Sequence, residues 1–162
     1  MTNRHAQRLI DDYATNSWLI GRLTDGITHE ESLLQLPFEA NCFNWLVGHM
    51  VSGRNTAMKV LGLTPIWPEE TVVRYRTGST PITGPGCGEA RLEDLLGDLE
   101  EAGRRIAAAL ADMNDAELAR PAETDRGVKQ TGEHLEGLHW HETYHIGQLE
   151  LLRALALSMR RQ

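Results

Sequence analysis

Apolar residues recur at steps of three and four along four stretches of the chain, a spacing that places them on one face of an α-helix. The clearest stretch runs from about Glu89 to Met113 and carries a leucine-rich face. The other three run from about Thr2 to Thr24, from Asn41 to Val60, and from Gln130 or Thr131 to Leu157. The pattern therefore predicts four amphipathic helices around a shared core.

Residues 63–88 interrupt the helical pattern with four prolines and several glycines. They predict a long crossover, which either covers a functional site or only connects two helix ends. Thr71–Tyr75 could be extended, but no partner strand is apparent elsewhere, so we expect no sheet. The predicted fold is all-α: a four-helix bundle with a long crossover between helices two and three, in a single domain over residues 1–162.

Charge and cysteine content narrow the functional classes. The chain has 162 residues and a formal net charge of -7, which argues against a nucleic-acid partner because phosphate binding needs a basic face. No apolar run approaches the ~18 residues of a membrane span, and the first residues lack the apolar core of a signal peptide. Cys42 and Cys87 show neither disulfide nor zinc-site spacing. We expect a cytoplasmic protein that contacts no membrane.

Three histidines stand where the helical pattern predicts buried positions. His141 and His145 are four residues apart in helix four, so their imidazoles can reach the same ion. His49 lies on the core-facing stripe of helix two. Burying three imidazoles is unfavourable unless their nitrogens find partners, and a shared metal ion supplies one. We therefore predict a divalent ion bound by His49, His141 and His145, with coordination positions left open as in catalytic zinc sites.

The string His141-Glu142-Thr143-Tyr144-His145 also matches H-E-x-x-H, the zinc-protease motif with two ligands and a glutamate base. The protease interpretation fails because a metzincin needs a further histidine soon after His145 and none follows. A zincin with a downstream glutamate ligand needs a following helix, and the 17 residues after His145 complete the same helix. No catalytic residue can be assigned. Three residues are weak candidates for orienting a ligand, bonding a metal-bound water or lining an entrance, although we expect structural roles for them: Glu142, Gln148 and His134. The remaining histidines are expected at the surface: His5, His29 and His139.

Two segments together resemble a known family. Trp45-Leu46-Val47-Gly48-His49-Met50, followed much later by His141-Glu142-Thr143-Tyr144-His145-Ile146-Gly147-Gln148-Leu149, resembles the DinB-like (YfiT-like) superfamily, whose members are regarded as metal-dependent enzymes. The fit covers nearly the whole chain, and H-x-x-x-H-x-G-Q-L is its most specific part. The resemblance implies a four-helix bundle, nickel or zinc bound by the same three histidines, and a homodimer.

For the activity, the resemblance leaves alternatives open. Some relatives are S-transferases that use low-molecular-weight thiols such as bacillithiol or mycothiol, one is a mycothiol-dependent isomerase, and many have no known activity. The leading hypothesis is a metal-dependent enzyme that activates a low-molecular-weight thiol. The alternatives are a metal-dependent hydrolase that uses a metal-bound water and a non-catalytic protein that binds a metal or a small molecule.

Overall fold

The computed structural model describes residues 3–160, which contain seven helices and one two-stranded sheet. In chain order the elements are α1 (Arg4–Thr24), α2 (His29–Ser32), α3 (Phe43–Val60), α4 (Glu69–Arg74), α5 (Leu92–Ala111), α6 (Asp115–Leu118), β1 (Pro121–Thr124), β2 (Gly127–Gln130) and α7 (Thr131–Met159). The chain is thus mostly helical, as predicted. Within the described residues, no helix is both long and apolar enough to cross a lipid bilayer.

The four long helices α1, α3, α5 and α7 match the four predicted ones to within a few residues. Helix α1 begins at Arg4 because the Asn3 side chain accepts hydrogen bonds from the next free amides, those of His5 and Ala6. The predicted start at Thr2 lies outside the described residues. Helix α3 begins later than the predicted Asn41, and Cys42 is its N-cap.

The contacts between the long helices form a cycle, in which α1 and α3 each pack against both α5 and α7. The apolar faces read from the sequence point into the space between them. Five core residues of α5 and α7 have no exposed surface: Leu95, Ile106, Leu110, Leu135 and Leu149. Each such side chain stabilises the fold by about 1.5–3 kcal/mol. They belong to two clusters of buried apolar residues, Leu95 and Leu149 to one and Ile106, Leu110 and Leu135 to the other.

The crossover contains a helix, so the prediction of an extended segment at Thr71–Tyr75 is wrong. Helix α4 ends at Arg74 and follows Pro68, whose ring restricts the backbone at the helix start. Val72 and Tyr75 are three residues apart and both are buried. A helical turn places two such residues on the same side, whereas an extended chain would point one of them away from the core.

The segment before α7 forms a β-hairpin, so the expectation of no sheet is also wrong. Strands β1 and β2 pair antiparallel, with Thr124 opposite Gly127 across the turn. Gly127 has a φ of 88°, a conformation that glycine adopts without strain. The strands have four residues each and almost no buried apolar side chains, so no alternating pattern marks them in the sequence. The hairpin packs on α3 and α7.

Candidate metal centre

The three predicted ligands meet between α3 and α7. His141 Nε2 lies 3.0 Å from His49 Nε2 and 3.1 Å from His145 Nε2. One ring nitrogen of each residue lies within 4.8 Å of the others, an arrangement that can hold a metal ion. His145 is buried, and the other two are half-buried. The structure therefore places the three histidines together, as the sequence predicted.

In two of the histidines, the hydrogen bond made by Nδ1 determines that Nε2 faces the centre of the three-histidine cluster. His49 Nδ1 lies 2.7 Å from the carbonyl oxygen of Tyr75, and His145 Nδ1 lies 2.7 Å from Oε1 of Gln148. Both partners are oxygen acceptors, so each Nδ1 carries the proton and donates. The Nε2 atoms of His49 and His145 consequently present lone pairs to the centre.

The positions of the imidazole protons show that the three histidines are suited to a metal ion. A neutral His141 has at most one proton on Nε2, so it can donate to only one of its two Nε2 neighbours. The other short contact then has no proton between its two nitrogens, which is repulsive unless a cation lies between them. A divalent ion held by the three histidines would relieve this repulsion and accept one lone pair from each Nε2. The donor set of three neutral imidazoles suits zinc and nickel.

Burial keeps the cluster neutral. Removal from water lowers the pKa of all three imidazoles, and for His141 the pKa falls to about 4 because the other two rings add to the effect. His141 is therefore unprotonated at neutral pH. Metal binding requires unprotonated imidazoles, so protons compete weakly for this ligand near pH 7.

The crossover holds the α3 ligand in place. The Trp45 ring stacks on His49 at 4.7 Å between centroids and 12° between planes, and its Nε1 donates to Ser79 Oγ at 2.9 Å. The Tyr75 ring fills the space beside Gly48, where an added Cβ would lie only 2.2 Å from Tyr75 Cδ1. Gly48 thus admits the aromatic residue whose carbonyl oxygen orients His49.

A buried ion pair, which sequence reasoning missed, lies beside the histidines. Arg54 of α3 donates through Nε and Nη2 to the two carboxylate oxygens of Glu142, both at 2.8 Å. The side chains are only 1% and 5% exposed. Arg54 is four residues after Met50 and three before Ala57, and both of those residues are buried. This helical spacing places Arg54 on the core-facing side of α3, so the sequence did carry a sign that this arginine is buried. Both oxygens of Glu142 are engaged, so its role here is to join α3 to α7.

A sequence model of the DinB superfamily matches residues 19–149, a range that contains the three histidines and the ion pair. The chain belongs to the DinB superfamily. No curated protein matches the chain significantly. The H-x-x-x-H pair and the upstream histidine that suggested the family from the sequence are the residues that meet in the structure.

In this DinB-superfamily chain the other candidate residues lie around the cluster. Gln148 orients His145, as described above. His134 is buried, but its Nε2 bonds the carbonyl oxygen of Ala122 at 2.9 Å, so it anchors the hairpin and lies outside the cluster. The three histidines expected at the surface are half-buried, and each contacts a neighbouring element: His5, His29 and His139.

A cleft of about 450 Å³ gives access to the cluster in this DinB-superfamily fold. His49 and His141 form part of its wall, and the crossover and the β-hairpin form the opposite side. At Gly53 an added Cβ would meet no described atom within 4 Å, so this glycine leaves the cleft wide. The charged side chains of the wall are balanced in sign: Lys59, Arg76, Arg126, Glu69, Glu123 and Asp125. The cleft suits a small polar ligand.

Proposed function

We propose that this DinB-superfamily protein is a metal-dependent enzyme that transfers a low-molecular-weight thiol to an electrophile. His49, His141 and His145 would hold a divalent ion, zinc or nickel. The observation that carries the proposal is the convergence of three Nε2 atoms, two with fixed lone pairs, beside an open cleft whose wall includes His49 and His141. When bound, such an ion is a Lewis acid that lowers the pKa of a thiol or water that reaches it.

The engagement of Glu142 favours a thiol over water as the nucleophile. Its two oxygens are both hydrogen-bonded to Arg54, so Glu142 cannot act as a general base without breaking a buried ion pair. The ion would acidify either nucleophile, but a thiol starts from a pKa of about 8.5 and water from about 15.7, so the thiol depends less on a protein base. The transfer would form a carbon–sulfur bond and break the bond from that carbon to its leaving group.

Elemental analysis tests the metal site. We expect about one zinc or nickel ion per chain in the purified protein. His49→Ala should abolish stoichiometric binding, because it removes the only ligand from α3. His139→Ala is the matched control, since this histidine lies on α7 outside the cluster, and it should retain the metal. Unchanged metal content in His49→Ala would refute the three-histidine site.

Thiol titration of the cobalt-substituted protein tests the reaction class. Cysteine, bacillithiol and mycothiol should each be tried, and we expect at least one to produce a sulfur-to-metal charge-transfer band in the near ultraviolet. The same thiol should then be consumed with an aryl halide electrophile. Ester hydrolysis without any thiol band would support the hydrolase alternative. A stabilising metal with neither activity would support a non-catalytic binding protein.

This proposal also includes a four-helix bundle, a homodimer and a cytoplasmic location. The cycle of contacts among α1, α3, α5 and α7 supports a four-helix bundle. A homodimer is supported by exposed apolar side chains along one face of α7, where Trp140 and Tyr144 stack at 6.2 Å and Leu151 follows. Light scattering that gives a monomer mass would contradict it. Two free cysteines suit the reducing cytoplasm.

A further inference from the structure

One arginine in the cleft beside the three-histidine cluster has no protein anion as a partner. Three lysine or arginine side chains belong to the wall of this cleft. Two of them, Lys59 and Arg76, both form ion pairs with the carboxylate of Glu69. The third, Arg126, forms no ion pair and no side-chain hydrogen bond with any of residues 3–160. Its guanidinium N–H groups are therefore available to a molecule in the cleft.

The β-hairpin holds Arg126 at the cleft. Arg126 is the second residue of the turn between β1 and β2, and its amide donates to Thr124 Oγ1 at 3.1 Å. Strand β1 is attached to α7 by the contact of 2.9 Å between His134 Nε2 and the carbonyl oxygen of Ala122. The hairpin packs on α3 and α7, the two helices that carry the three histidines. The backbone of Arg126 is therefore fixed relative to the cluster.

Arg126 and two of the histidines face the same space. His49 and His141 line the cleft together with Arg126, and the cleft volume of about 450 Å³ is in the range of about 300–1,000 Å³ found for small-molecule sites. Burial has the largest effect in lowering the pKa of these two imidazoles, and the positive charge of Arg126 adds a smaller lowering to each. One small ligand in the cleft can therefore contact both Arg126 and an ion held by the histidines.

The charges of the cleft favour a ligand that carries one carboxylate. The acidic and basic side chains of the wall cancel, so a divalent ion and a thiolate together would leave one positive charge in excess. A carboxylate on the same thiol neutralises that charge. A guanidinium group binds a carboxylate through two parallel hydrogen bonds, which makes Arg126 the natural partner. Glu123 and Asp125 on the hairpin would repel a second carboxylate.

We propose that Arg126 is a specificity-determining residue, which binds the carboxylate of an acidic low-molecular-weight thiol while the sulfur of that thiol reaches the ion. This inference rests on the proposed function and names its substrate class: a thiol with a carboxylate a few bonds from the sulfur, in preference to a neutral or cationic thiol. Arg126 makes no bond to the reacting sulfur, so its contribution is to the affinity and orientation of the thiol.

The test compares two thiols that differ only in the carboxylate, β-mercaptopropionate and its amide, β-mercaptopropionamide. Each is titrated into the cobalt-substituted protein, and the sulfur-to-metal charge-transfer band gives its Kd. Arg126→Gln should weaken binding of the acid about tenfold, because a charge-assisted pair is lost, and should leave binding of the amide unchanged. Lys129→Gln is the matched control, since it removes a positive charge from β2 outside the cleft wall. It should bind both thiols as the unmodified protein does.

A charge reversal gives an independent test. Arg126→Glu should bind the acid still more weakly, and should bind the cationic thiol cysteamine about tenfold more tightly than the unmodified protein does. Because Arg126 is exposed at a turn, both of its variants should keep the melting temperature and metal content of the unmodified protein.

The inference is overturned if Arg126→Gln binds the acid normally, or if it binds the acid and the amide more weakly by the same factor. A loss of metal in Arg126→Gln would assign the effect to the metal site and would also overturn the inference. If neither thiol produces the band in the unmodified protein, the thiol chemistry of the proposed function fails, and this inference fails with it.

Discussion

Replacement of Glu142 by glutamine should destabilise the fold strongly. The change keeps the size of the side chain but leaves the guanidinium of Arg54 as a buried positive charge without its anion. Both side chains are almost fully buried, so solvent cannot replace the lost partner. Removal of one member of a buried ion pair typically destabilises a protein by about 3–5 kcal/mol. For a chain of this length, that corresponds to a fall in melting temperature of about 6–20 °C.

The assay is urea and thermal unfolding of the metal-free protein, so that changes in metal affinity do not contribute. Glu136→Gln is the matched control on the same helix, because Glu136 pairs with His5 and Arg8 while its side chain is 41% exposed. That control should lose less than about 1 kcal/mol. The double variant Arg54→Met with Glu142→Leu should recover most of the stability, because apolar pairs replace buried ion pairs well. If Glu142→Gln is no more destabilising than Glu136→Gln, the ion pair does not have the role assigned here.

Three further predictions concern the metal site. Gly48→Ala should lower the free energy of unfolding by about 1–3 kcal/mol and weaken metal binding, since its methyl group would displace the Tyr75 ring. Gly53→Ala is the control and should leave stability unchanged or slightly higher. Unfolding and metal titrations of both variants check this prediction. Gln148→Ala should weaken metal affinity about 10–100-fold by calorimetry, because His145 loses the acceptor on its outer nitrogen, whereas Gln148→Glu should preserve it. Chelation of the ion should lower the melting temperature of the protein. Free metal at 100 times its Kd should then restore about 2.7 kcal/mol of the free energy of unfolding. An unchanged melting temperature would contradict binding of the ion to the folded state alone.

The sequence was most informative where its signal is local. The four long helices follow from apolar residues three and four apart, and the same spacing identifies His141 and His145 as neighbours on one face. His49 could be added because it occupies a core-facing position of another helix. These predictions hold because a helix places nearby residues in a fixed geometry, whatever the rest of the chain does.

The sequence did not reveal contacts between residues far apart in the chain, or hydrogen bonds from side chains to main-chain atoms. Arg54 and Glu142 are 88 positions apart, and only the packing of α3 on α7 makes them a pair. The acceptor for His49 is the carbonyl oxygen of Tyr75, and a main-chain carbonyl is present at every residue. The hairpin escaped notice because its short strands bury too little apolar surface to show a pattern.

The sequence by itself indicated the long helices and the histidines on their core-facing sides, because each of these depends on the periodicity within one helix: His141 and His145 in α7, and His49 in α3. Only the tertiary structure decided how those residues are used. It supplied the acceptors that turn two lone pairs toward the centre, engaged Glu142 with Arg54, and left one side of the cluster open to the cleft. These features depend on distances between helices, which are set by packing of the whole core and leave no local mark in the chain.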